Sequence, residues 1–164
     1  MRLLAIPVVA AGLLGGCRDG LGPEARYSGR YGLYAVFENT APPVTTYAGS
    51  TRTGPVYSRV EIVADTLEVS ADGRWVERSI HRGTMNETTN PVVTYDTSVA
   101  TGTFTVDGDA RLTFRSDPGE SNVGFLKALG VKEGSTVIAA GDSLAFQGVL
   151  FGGLPWNPRY RRVP

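Results

Sequence analysis

Leu67-Glu68-Val69-Ser70-Ala71-Asp72-Gly73-Arg74-Trp75-Val76-Glu77 reads as a β-hairpin. Apolar and polar residues alternate up to Ser70, Asp72-Gly73 supplies a turn, and the chain returns through an aromatic residue. A two-residue turn would set Val69 opposite Val76. A three-residue turn with Gly73 left-handed sets Val69 opposite Trp75. Burying Trp75 removes far more apolar surface from water than burying Val76, so the three-residue turn is the expected one. Its consequence is that Glu77 shares the inward face of Trp75 and must lie near a barrel end or find a partner.

The same signature recurs on both sides. Gly102–Val106 and Leu112–Phe114 flank Asp107-Gly108-Asp109, with Phe104, Val106, Leu112 and Phe114 inward. Thr136–Ala140 and Ser143–Leu150 flank Gly141-Asp142, with Leu144 and Phe146 inward. Gly29–Phe37 opens the series with Tyr31, Leu33, Ala35 and Phe37 on one face. Val56–Ala64 alternates, with Val56, Val60 and Ile62 on one face and Arg59 and Glu61 on the other. Val92–Tyr95 is a short strand or the start of a longer one, and Arg159–Val163 closes the chain. Asn39–Pro55 and His81–Asn90 read as loops, and Asn122–Leu129, with apolar residues every third place, as the one short helix. About eight strands joined mostly by short turns predict an all-β fold, an antiparallel up-and-down meander. Such a meander hides its edges by closing into a barrel or half-barrel. Eight strands leave a bore that side chains fill or that holds one small ligand.

Composition agrees. The 164 residues include 21 glycines and only two lysines, Lys127 and Lys132, and 16 basic residues balance 16 acidic ones. Strands and tight turns suit that composition, and no basic excess points to nucleic acid.

At the amino terminus Arg2 precedes an apolar run, Leu3–Leu14, too short for the roughly 20 residues of a membrane-spanning helix. Leu14-Gly15-Gly16-Cys17 follows and resembles the bacterial lipobox. The resemblance implies cleavage between Gly16 and Cys17, a diacylglyceryl thioether on the Cys17 sulfur and an acyl chain such as palmitate on its amine. Residues 1–16 would then be a lipoprotein signal peptide, 17–28 a lipidated tether and 29–164 the barrel domain. The mature part keeps 15 basic and 16 acidic residues. A flexible tether of that length reaches on the order of 18 Å. Arg18 stands where aspartate favours inner-membrane retention in diderm lipoproteins, which tilts the expectation to the outer membrane. Cys17 is the only cysteine, so no internal disulfide forms.

Tyr31-Gly-Leu-Tyr-Ala-Val, Leu67 through Trp75, Gly102-Thr-Phe-Thr-Val-Asp-Gly108 and Arg159-Tyr-Arg-Arg together resemble small bacterial lipoproteins with a lipocalin-like domain. The resemblance implies an antiparallel barrel or half-barrel, no fixed catalytic set and no cofactor. Tyr31, Phe37, Trp75, Phe104, Phe114 and Phe146 either line a cavity for a hydrophobic small molecule or fill the bore as core.

Other candidates carry weaker readings. His81, the single histidine, sits beside Arg82 and reads as a solvated surface residue, and no serine lies in a nucleophile-elbow pattern. Asp107, Asp109 and Asp117 are too few for the six to eight oxygens calcium takes and read as turn formers, so no metal is expected. Alternation places Glu61 and Glu68 on the solvent face, away from Glu77. Arg159, Arg161 and Arg162 read as a solvated strand end. Asn86-Glu87-Thr88 fits a glycosylation sequon, which a bacterial lipobox makes irrelevant. The expected protein is thus a non-enzymatic envelope lipoprotein. Its barrel binds a hydrophobic ligand or, alternatively, serves with a solid core as a structural or protein-interaction module.

Overall fold

The computed structural model describes residues 22–37, 40–48, 57–85, 90–119, 134–151 and 154–164. The expected Asn122–Leu129 helix, Cys17 and the Asn86-Glu87-Thr88 sequon lie outside them. A 3-10 turn at Pro23–Tyr27 leads into β1 (Gly29–Ala35), β2 (Val44–Ala48), β3 (Tyr57–Val69), β4 (Arg74–Met85), β5 (Val92–Val106), β6 (Arg111–Ser116), β7 (Ser135–Ala140), β8 (Ser143–Phe146), a two-stranded ribbon of β9 (Leu150–Phe151) and β10 (Leu154–Pro155), and β11 (Arg159–Arg162). Neighbours in the main sheet run β1-β11-β8-β7-β6-β5-β4-β3, all antiparallel, and β1 pairs back onto β3. Eight strands therefore form a closed barrel, and β2 adds a ninth along the upper part of β3. Closure removes the sheet edges that an open meander would expose.

The central hairpin has the expected register. Val69 pairs with Trp75, Gly73 has φ +81°, and the Ser70 N–H bonds to the Arg74 carbonyl at 2.8 Å. Trp75 is fully buried and seeds a run of ring contacts across the bore. Trp75 lies 6.0 Å from Phe114, Phe114 stacks on Phe104 at 5.3 Å and meets Phe146 edge-on at 5.2 Å, and Phe146 meets Tyr160 at 5.8 Å. Offset and edge-on arrangements of this kind match the quadrupoles of the rings. Leu67, Leu112, Val137 and Leu144 complete the packing.

On β3 the inward apolar residues change from even numbers, Val60 and Ile62, to odd numbers, Leu67 and Val69. The pairing with β4 shifts between Ile62 and Ala64, opposite His81 and Ile80. The bulge inserts one residue and so restores one face to both halves of the strand.

Three sequence expectations change. The Asn39–Pro55 loop contains β2, which pairs Val44–Ala48 with Arg59–Ile62 across a register shift. His81–Met85 is not loop but the end of β4, and of the two readings of Val92–Tyr95 the start of a longer strand holds, Val92–Val106 being unbroken. Both became strand through pairing: twelve consecutive residue pairs join β4 to β5, whatever the local polarity. Pro23–Tyr27, within the expected tether, packs against the barrel end that carries the β5–β6 turn. There the Tyr27 hydroxyl donates to the Asp109 carbonyl at 2.6 Å, and Arg26 donates to the same oxygen. Tyr27 is buried, and its carbonyl accepts from the Tyr31 hydroxyl at 2.7 Å.

Gly102 is what lets Trp75 lie flat. A Cβ there would stand 2.0 Å from the Arg115 carbonyl and 2.4 Å from the indole ring. Gly102→Ala is expected to cost at least about 3 kcal/mol in chemical denaturation, the upper range for overpacking. Gly108 has φ +99° but open space around it. Gly108→Ala should cost only about 1 kcal/mol, from backbone strain alone.

Candidate functional site

The bore has two halves with different chemistry. Inward positions on β4 run Trp75, Glu77, Ser79 and His81, because alternate residues of a strand share a face. Their partners are Val69, Leu67, Asp65 and Ile62 on β3, and Gly102, Ala100, Ser98 and Asp96 on β5. Below Glu77 the lining is aromatic; from Glu77 upward Glu77, Asp65, Ser79 and His81 bring polar groups in among apolar neighbours such as Ile62.

The polar half holds a buried carboxyl pair. Asp65, Glu77 and Ser79 are all closed off from solvent, as is Tyr160 from the facing wall. The Ser79 hydroxyl donates to Asp65 Oδ2 at 2.7 Å and lies 3.4 Å from Glu77 Oε1. Burial pushes the Asp65 carboxyl from 3.8 up to about 6, opposed by the neighbouring Glu77, Ser79 and Tyr160 side chains. Burial and then the charges of Asp65 and Glu77 raise the Tyr160 hydroxyl well above 10. Tyr160 senses that charge, yet neither its hydroxyl nor Asp65 Oδ1 makes a hydrogen bond of normal geometry. Ser79 thus bridges the two carboxyl groups, and a second charge beside the first is unfavourable in a dry interior. Sequence reasoning had flagged Glu77 but missed Asp65. Its inward position depends on the β3 bulge, and the parity change from Ile62 to Leu67 was the signal that could have shown it.

His81 lies on the inward face, half-buried, and its Nε2 is 2.8 Å from Ser98 Oγ. This corrects the reading of a solvated surface histidine; the unbroken β4–β5 pairing carries it into the sheet. Burial lowers its pKa, and the charge of Asp96 opposes that. Ser98, His81 and Asp96 are the residue types of a nucleophilic triad, but Asp96 Oδ1 accepts the Thr97 N–H at 2.8 Å and acts on the ring through charge alone. A triad needs the acid to orient the imidazole.

Glu61 corrects a second expectation. It does face away from Ile62, yet it is 5% exposed because two arginines fold over it. Arg82 reaches Glu61 Oε2 through Nη2 at 2.8 Å and Nε at 2.9 Å, and Arg59 Nε lies at 3.4 Å. Glu68 stays at the surface, 3.2 Å from Arg78. Glu61, Glu68 and Glu77 therefore do not meet.

The turn aspartates have separate partners. Asp107 accepts the Thr113 hydroxyl at 2.6 Å, and Asp117 accepts Arg74 at 2.7 Å and Thr101 at 2.8 Å. Among the described residues no group of three histidine, cysteine, aspartate or glutamate side chains is placed to hold a metal. Arg162 donates to the Tyr31 hydroxyl at 2.9 Å, and Arg161 lies over the Tyr34 ring at 4.6 Å. The carboxyl-terminal arginines are thus spread over barrel contacts.

Of the six aromatic candidates, Tyr31, Trp75, Phe104, Phe114 and Phe146 are buried in the core. Phe37 stands apart. It takes a left-handed backbone (φ 42°), and its N–H bonds to the Trp156 carbonyl at 2.7 Å. There, at the end of β1 remote from the 3-10 turn, Val36, Phe37, Thr40, Pro43, Val44, Thr45 and Trp156 line a groove of about 320 Å³. Trp156 and Val44 had not been singled out in the sequence, because the groove forms where the β1–β2 connection crosses the segment before β11.

The fold and these features define an eight-stranded antiparallel β-barrel protein with an acidic interior cluster and a lateral apolar groove. Compared with protein-family models, curated proteins and solved structures, the chain matches none.

The Asp65 pair makes stability depend on pH. Between about pH 4 and 6 the native carboxyl keeps a proton that the unfolded chain has released, so stability is greatest at the acid side of that window. It falls as pH rises to 6, then levels off. His81 acts in the opposite sense, since its lowered pKa favours the neutral ring and costs stability as pH falls. Asp65→Asn isolates the first effect. Relative to wild type, it should gain on the order of 2 kcal/mol between pH 4.5 and pH 7.5 in urea denaturation.

Proposed function

We propose that the chain is a lipid-anchored protein of the bacterial cell envelope whose barrel carries a small hydrophobic molecule and performs no catalysis of its own. The observation that carries the ligand reading is the 320 Å³ groove walled by Val36, Phe37, Val44 and Trp156. That volume falls at the lower end of small-molecule sites, about 300–1,000 Å³, and its rim of Thr40, Pro43 and Thr45 is exposed. An apolar wall with few polar groups suits an acyl chain or a compact apolar ring system.

The anchor reading rests on Leu14-Gly15-Gly16-Cys17. Gly22 enters the structure at the barrel end that carries the β5–β6 turn, and the groove lies at the other end of β1. A tether from an acylated Cys17 would therefore hold one end of the barrel at the bilayer and turn the groove away from it. Two or more acyl chains are needed for stable attachment.

A second reading, a solid-core structural or interaction module, is favoured by the bore itself. Trp75, Phe114, Phe146 and Tyr160 have no exposed surface and touch one another in series.

Calorimetric titration with lauric acid separates the two. Binding is expected, and Thr45→Trp, which fills the groove from its exposed rim, should weaken it by at least about tenfold, or 1.4 kcal/mol. Equal binding by Thr45→Trp would move the ligand elsewhere, and no binding by folded wild type leaves the solid-core module standing. For the anchor, Cys17→Ser should shift the protein from the membrane fraction to the soluble fraction of its cell. Unchanged membrane fractionation would remove Cys17 from that role.

A further inference from the structure

The groove at Trp156 is built by two backbone segments tied to each other. The Phe37 N–H bonds to the Trp156 carbonyl at 2.7 Å, and the Trp156 N–H bonds to the Val149 carbonyl at 2.8 Å. Val36 and Thr40 exchange two backbone bonds at 2.9 Å, which closes the turn that carries Phe37. Val36, Val44 and Trp156 are buried, Phe37 is half-buried, and Thr40, Pro43 and Thr45 stand exposed at the rim. The walls are therefore fixed before a ligand arrives, which lowers the ordering cost of binding a rigid one.

Backbone strain is concentrated at the same place. Among the described residues, Phe37 (φ 42°) and Asn157 (φ 32°) are the two non-glycine residues with a left-handed backbone. Trp156 joins them, through its carbonyl to Phe37 and through the chain to Asn157. Asn157 has a local reason. Asparagine tolerates this region better than most residues, and its Oδ1 accepts the Val149 N–H at 3.2 Å. A phenyl ring makes no such bond. A bulky side chain is badly suited to positive φ, and glycine would hold the Trp156 bond without that cost. Strain of this kind is kept where the side chain is needed. The Phe37 ring packs in part on the core and gives its remaining surface to the groove.

The chemistry of the walls narrows the occupant. No charged side chain stands among the described residues that line the groove. A carboxylate laid inside it would lose water and gain no cation from those walls. Two aromatic side chains on separate segments offer ring faces and edges, and another ring can meet them in the offset or edge-on arrangements that add to simple burial. A flexible acyl chain gains burial from these walls but nothing from their quadrupoles. Thr40 and Thr45 add hydroxyls at the rim that bond a polar substituent on the outer edge of the ligand.

We propose, on the ligand reading of the groove, that Phe37 is its specificity-determining residue and that the ligand it selects is an uncharged aromatic ring system with a polar group at one edge. Phe37 keeps its strained backbone so that its ring and Trp156, held together by one backbone bond, wall the same space. The ring of residue 37, and not its bulk alone, then separates flat aromatic ligands from acyl chains.

Titration of the full chain with 2-naphthol, which is uncharged at neutral pH, and with lauric acid tests this in wild type, Phe37→Leu and Phe37→Tyr. Leucine keeps an apolar side chain and the same backbone cost; tyrosine keeps the ring. Phe37→Leu is expected to weaken 2-naphthol about fivefold, the worth of one ring contact at about 1 kcal/mol, and to leave lauric acid within about twofold. Phe37→Tyr should bind 2-naphthol as wild type does. 2-Naphthoate, the same rings with a carboxylate, should bind wild type severalfold more weakly than 2-naphthol. A purely structural role for Phe37 would weaken both ligands together. Equal losses of 2-naphthol and lauric acid in Phe37→Leu, lauric acid binding with none of 2-naphthol, or 2-naphthoate binding as tightly as 2-naphthol would each overturn the proposal and leave the groove a ligand site. Binding of neither 2-naphthol nor lauric acid by folded wild type would remove the ligand reading and the proposal with it.

Discussion

The seating of Trp75 over Gly102 is the contact on which the barrel depends. The indole N–H donates to the Thr103 carbonyl at 3.0 Å and lies 3.2 Å from the Arg115 carbonyl, so the ring is tied to two strands beyond its own. Its face meets Phe114, and through Phe114 the contact reaches Phe104, Phe146 and Tyr160 on β5, β8 and β11. A large aromatic group removes much apolar surface from water, and here it does so in the middle of a sheet that has to close. The absence of a side chain at Gly102 is as much part of that contact as the ring itself.

The register that buries Trp75 also carries Glu77 inward, and the β3 bulge sends Asp65 after it. A dry barrel then has to tolerate two carboxyl groups, which it does by placing Ser79 between them and keeping a proton at Asp65 through the acidic range. Such groups are costly to bury, and replacing a carboxylate by a neutral isostere of similar shape often stabilises. The cluster is closed to solvent, so its chemistry is felt as stability and not as access to a ligand. Among the described residues the accessible apolar surfaces lie elsewhere: the groove at Trp156, and the exposed row of Val93, Tyr95 and Val99 on β5.

Those two surfaces share an origin. β3, β4 and β5 are longer than the strands opposite them, so the sheet outgrows the barrel. On the β3 side the excess is covered by β2, and the connection that brings β2 there walls the groove. On the β5 side β6 pairs only with Gly102–Val106, and no other strand among the described residues lies beside the excess. Unequal strand length thus produces both the groove at Trp156 and the exposed apolar row of Val93, Tyr95 and Val99.

Local pattern was enough to determine that the chain is an antiparallel meander, that Gly73 turns it and that Val69 meets Trp75, because alternation and turn chemistry act over a few residues. It also placed Tyr31, Trp75, Phe104, Phe114 and Phe146 inside. Only the tertiary structure decided that β1 closes on β3, that β2 exists, that His81 belongs to a strand and that Glu61 is covered by Arg59 and Arg82. Each of these depends on residues far apart in the chain. Asp65 shows the difference in one side chain: its polarity reads as surface, and a single inserted residue two positions earlier turns it into the barrel.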